Sequence, residues 1–149
     1  MADIELTQAE ADSLITLEKV RENDDCVDYP GLGGNVCVPL VSTDKKEHFF
    51  LDISRGTIDL KKGKYQERGR HVIVLVRLDF GGAPHRNPDG EEMPSPHLHI
   101  YRTGFGAKWA VPIPRDRFPD TDDLWRLLQD FMRYCNITNP PKLRRGVFT

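Results

Sequence analysis

The chain has 149 residues, 38% hydrophobic and 30% charged, with a formal net charge of −2. That is one domain's worth of chain with enough apolar residues for a core; it excludes a disordered polymer and a generic nucleic-acid binder, which would carry a basic balance. No apolar run approaches the roughly 20 residues of a membrane helix, and the acidic start MADIELTQAEAD is unlike a secretory signal, so the chain reads as cytoplasmic.

The charge is unevenly placed. Residues 1–28 carry nine acids against Lys19 and Arg21, or −7, which leaves +5 for the remainder. Basic clusters stand at Lys61, Lys62, Lys64, Arg68 and Arg70, and again at Lys142, Arg144 and Arg145. Three cysteines, Cys26, Cys37 and Cys135, are an odd number without C-x-x-C spacing, so they read as buried reduced thiols.

In chain order, Thr7 and Glu10 form a capping box, and Ala11, Leu14, Ile15, Leu17 and Val20 predict an amphipathic helix to about residue 22. The segment Tyr29–Gly34 is a glycine-rich turn; no Gly-Lys-Ser/Thr follows to make it a phosphate loop. Val36–Val41 reads as a strand that Pro39 pushes to an edge or bulge. His48–Ser54 alternates as a half-buried strand, and Thr57–Lys62 is expected to follow with Ile58 and Leu60 inward. Arg70–Phe80, with apolar residues on both faces, predicts a central strand. Residues 81–96 form a long loop with turn chemistry at Asn87–Gly90; loops of this length are functional or disordered. Two short strands follow at His97–Arg102 and Lys108–Ile113. Leu124, Leu127, Leu128, Phe131 and Cys135 recur at helical spacing and predict a helix over 121–136, capped by Asp120 or Thr121.

These elements predict an α+β fold: a twisted antiparallel sheet of five to six strands over 36–113, flanked by an N-terminal and a C-terminal helix. The single domain 1–149 would begin with an acidic helical segment, 1–28, and end in a loose basic tail, 137–149. The helices would cover one sheet face and leave the other partly open.

The segment HLHIYRTGFGAKWA, with LVRLDFGG and HRNPDG before it, resembles a pattern in a family of small uncharacterised prokaryotic proteins, some from mobile elements or near toxin–antitoxin genes. The resemblance spans roughly residues 46–140, implies no assigned activity, and departs at Thr103, where the pattern favours an acid.

In an extended strand, His97, His99 and Tyr101 would share a face, with the two imidazoles roughly 6.5–7 Å apart at Cα. Three chemistries suit these residues. Metal-independent cleavage of RNA would use His97 and His99 as base and acid, Tyr101 as a stacking or hydrogen-bonding group, and His85, Arg86, Arg102 and Lys108 around the phosphate. A zinc or iron site would use His85, His97 and His99, although no carboxylate follows the His-x-His before Asp116. A non-enzymatic interaction or inhibitor module would use the surface alone. The favoured expectation is an RNA-related role without a cofactor, with RNA or a protein as partner and no membrane.

Overall fold

The first helix starts where the chemistry requires. Thr7 accepts a hydrogen bond from the Glu10 backbone at 3.1 Å, and the Glu10 carboxylate accepts one from the Thr7 N–H at 3.1 Å. In the computed structural model, which describes residues 5–145, that helix is α1 (Gln8–Thr16). Strands β1 (Lys19–Arg21), β2 (Cys26–Asp28), β3 (Asn35–Ser42), β4 (His48–Arg55), β5 (Gly63–Gly69) and β6 (Ile73–Phe80) follow. The hairpin of β7 (His85–Arg86) and β8 (Glu92–Met93) precedes β9 (His97–Ile100) and β10 (Ala110–Pro112). Helix α2 (Leu124–Tyr134), β11 (Ile137–Asn139) and β12 (Lys142–Arg144) complete the described residues.

One sheet of eight strands runs in the order β10-β9-β6-β5-β4-β3-β1-β11, antiparallel except for β1 against β11. Both helices contribute to one core on one sheet face. Ala11 and Leu14 of α1, and Leu127, Leu128 and Phe131 of α2, join Leu40, Leu51, Leu78 and Leu98 there. The apolar stripe of α2 is thus the buried one, and its N-cap is Asp123 rather than Asp120 or Thr121. No helix is long and apolar enough to cross a membrane among the described residues.

Several expectations are corrected. Among its described residues the acidic segment 1–28 is helical only over α1; Val20 lies in β1, because Lys19–Arg21 pairs with Leu40–Ser42 of β3. This segment is structural, since Leu6 and Leu14 are core and Lys19 is fully buried against Glu67 at 3.1 Å. The sheet is larger than five to six strands because β1 and β11 join it, and the 137–149 tail is not loose where described: β11 pairs with β1, and β12 with β2 in a separate two-stranded sheet. Thr57–Lys62 is a turn, leaving Ile58 and Leu60 exposed, while the polar run Gly63–Gly69 is the strand. Polar residues suffice there because only alternate positions, Tyr65 and Glu67, face the core. Pro39 sits inside β3, not at an edge. Its carbonyl accepts from Glu22 N just past the end of β1, so the missing N–H points where no strand residue needs it. Of the cysteines, only Cys135 is buried; Cys26 and Cys37 are exposed, all three free.

The central strand explains its own two-faced pattern. Against β5, the β6 register shifts between Val74 and Val76, a bulge at Leu75. Ile73 and Leu75 before it, and Val76, Leu78 and Phe80 after it, therefore all reach the core. Arg77 and Asp79 are left on the opposite, open face.

Candidate active site on the open sheet face

Register brings the site together. Across the open face, Gln66, Arg77 and His99 stand in one row, and Lys64, Asp79 and His97 in the next. His97 and His99 share this face as the strand period requires. Both are buried, at 3% and 0% exposure, so the site is sheltered rather than on a flat surface.

The polar atoms converge on one carboxylate. Asp79 Oδ2 lies 3.5 Å from His97 Nε2 and 3.3 Å from His99 Nε2. Arg77 donates from Nε to Asp79 Oδ1 at 2.9 Å and from Nη2 to Oδ2 at 3.2 Å. Burial opposes the charge on Asp79, but the histidines and the Arg77 guanidinium outweigh it and hold the carboxyl well below the usual carboxylate range.

The backbone orients both rings. His99 Nδ1 lies 2.8 Å from the Ala107 carbonyl and His97 Nδ1 3.3 Å from that of Pro94. A carbonyl only accepts, so each Nδ1 carries a proton, an assignment made from the partners. Nε2 of His99 is then left with a lone pair. At His99 that lone pair meets Arg77 Nη2, 3.1 Å away and always a donor. His99 and Asp79 together hold the guanidinium in place.

The 81–96 loop closes the site. Its Asn87 side chain acts as a strand residue, donating to Ala110 O at 2.9 Å and accepting from Ala110 N at 2.8 Å. This ties the hairpin to the edge strand β10 and lays His85 over the other two imidazoles. Ring centroids lie 4.6 Å from His99 and 5.7 Å from His97. His85 Nε2 donates to the Lys108 carbonyl at 2.8 Å, which leaves its other nitrogen for chemistry. A cavity of about 300 Å³ opens beside the cluster, with Asp79, His85 and His97 in its wall. His99 is not in that wall.

The other sequence-predicted residues are placed elsewhere. Strand β9 ends at Ile100, and Tyr101 drops into the core, its hydroxyl bonded to both N and O of Leu6 at 2.9 Å. Arg102 stacks over Trp109 at 4.1 Å in the turn before β10. Arg86 donates to Gly90 O within the hairpin, and Lys108 contributes its carbonyl while its side chain is exposed. Arg77 and Asp79 were missed as site residues, although two charges alternating on one face of an otherwise apolar strand were a readable signal.

No curated protein and no solved structure matches this chain. A family described as "Family of unknown function (DUF6978)" matches residues 6–137, which takes in both helices, the sheet up to the start of β11 and every residue of the cluster. The chain belongs to that family.

Proposed function

We propose that this protein cleaves single-stranded RNA by metal-independent acid–base chemistry, with His97 and His85 as the proton-transfer pair. One observation carries the reading: the two imidazoles line a single cavity, 5.7 Å apart at their centroids, with ionised Asp79 3.5 Å from His97 Nε2 and Arg77 beside Asp79. His97 Nε2 takes the proton of the ribose 2′-hydroxyl as the 2′-oxygen bonds to phosphorus. The P–O5′ bond breaks, and protonated His85 gives its proton to the departing oxygen. The products are a 2′,3′-cyclic phosphate and a 5′-hydroxyl, with no co-reactant. Asp79 stabilises the imidazolium that forms on His97, and Arg77 fixes that carboxylate through two hydrogen bonds. The pair is therefore His97 and His85; His99 positions Arg77.

A second reading has its own support. One atom each from Asp79, His97 and His99 lie within 4.8 Å of one another, and Nδ1 of each ring is fixed by a carbonyl, the outer hydrogen bond typical of metal-binding histidines. The 3.3 and 3.5 Å spacings match the edge of a tetrahedron with bonds of about 2.1 Å. Against it stands Arg77 Nη2, within 3.2 Å of two of those three atoms, where a divalent cation would have to displace it.

The test is cleavage of a labelled single-stranded RNA in excess chelator. The wild type should leave 2′,3′-cyclic ends, and His97→Ala or His85→Ala should lose on the order of 10²–10⁴ in rate. Cleavage that needs added metal, with near-stoichiometric zinc or iron lost in His99→Ala, would select the metal reading. No cleavage under either condition would leave the non-enzymatic interaction reading in its place.

A further inference from the structure

We infer that the cavity beside the histidines is a subsite for a second phosphate, the one flanking the scissile linkage, so that the substrate is an RNA strand rather than a dinucleotide. This deepens the reading above and rests on it. The cavity runs from His85, His97 and Asp79 to the turn joining β4 and β5, where Lys62, Lys64 and Arg55 enter its wall. Lys64 stands directly across from Asp79 in the sheet, one strand from the reacting pair. Among the described residues, neither lysine has a carboxylate within 4 Å, whereas Arg68 and Arg77 on the same sheet are both paired.

Arg55 shares the cavity wall but points the other way: it alternates with Leu51 and Ile53 onto the helix-covered face, its guanidinium over the Tyr29 ring at 5.4 Å. It is only 7% exposed, no carboxylate lies within 4 Å of it among the described residues, and its Nε is buried without a hydrogen-bond partner. Its terminal nitrogens are satisfied only by the carbonyls of Pro30 and Leu60. That leaves Lys62 and Lys64 as two cations in one wall without a partner carboxylate, and they call for an anion.

Glycine keeps the wall open to backbone approach. Gly81 and Gly82 both have positive φ, +69 and +79°, and a side chain on Gly63 would run into Ser54 O and the Phe80 ring. At about 300 Å³ the space has room for a phosphate with its sugar at the lysine end, beside the reacting groups. In an RNA strand the next phosphate is one nucleotide from the scissile one, so the cavity extends the reacting site along the backbone.

The experiment uses uncleavable probes, a deoxydinucleotide with one phosphate and a deoxytrinucleotide with two, titrated into the full-length protein by calorimetry. The wild type should bind the trinucleotide at least tenfold more tightly. In Lys62→Ala/Lys64→Ala, which alters two exposed side chains and leaves the core intact, that advantage should vanish. The slope of log K against log salt for the trinucleotide should shrink by about 0.7, the share of one phosphate contact. Equal binding of the two probes by the wild type, no binding of either, or an unchanged preference in the double variant overturns the subsite. A trinucleotide preference in a protein that leaves ribose-containing RNA intact keeps the subsite and removes the cleavage reading. Cleavage without the preference does the reverse.

Discussion

Replacing Lys19 by methionine should cost this protein more than any surface change, because Lys19 is a charge with no route to water. Its side chain and that of Glu67 are both 0% exposed, 3.1 Å apart, and Nζ also donates to Ile15 O at 2.7 Å and Cys135 O at 2.8 Å. The ammonium thereby joins α1, β5 and the end of α2. Methionine fills the volume but strands Glu67, and removing one partner of a buried pair costs about 3–5 kcal/mol. For a chain of this size that lowers Tm by roughly 10 °C. The loss depends on pH. Burial pushes the Glu67 carboxyl up to about 7 against the pull of Lys19. A folded carboxyl that holds its proton more tightly than the unfolded one, at about 4.3, stabilises most at low pH and loses that contribution as pH rises through the folded value. The wild type should therefore lose stability from this group between about pH 4.5 and 7. Without Lys19 the carboxyl stays protonated to higher pH, so the deficit of Lys19→Met should widen above pH 7. Urea unfolding at pH 5.5 and pH 8, with Lys19→Met/Glu67→Leu as the control that recovers most of the loss, measures it. A single variant as stable as the wild type at pH 8, or a deficit identical at both pH values, would refute the reasoning.

Asp79→Asn should lower the RNA cleavage rate by about 10²–10⁴, since an amide cannot stabilise an imidazolium on His97; circular dichroism should show the fold retained, and a rate within threefold of wild type would remove Asp79 from the mechanism. Asn87→Ala should cost about 1–3 kcal/mol through its two lost hydrogen bonds to Ala110. The same change should speed hydrogen exchange at the Ala110 amide and raise KM as His85 loosens, whereas an unchanged Ala110 exchange rate would show that Asn87 does not tether the hairpin.

Local chemistry was legible in the sequence wherever a single element sufficed. The Thr7–Glu10 box, the Leu124–Cys135 stripe, the alternation of Phe49, Leu51 and Ile53, and the shared face of His97 and His99 each follow from the period of one helix or strand. Register between strands was not, because it is set by long-range pairing and turn geometry. Only that register put Arg77 and Asp79 beside the histidines, and only the Asn87 contact to Ala110 brought His85 over them. Tyr101 counted as a partner of His97 and His99 as long as the strand ran on; the fold ends it at Ile100 and gives Tyr101 to the core. Lys19 and Glu67 looked like two more surface charges in polar runs. Burial depends on which face the helices cover, and that is decided only when α1 and α2 close over the sheet.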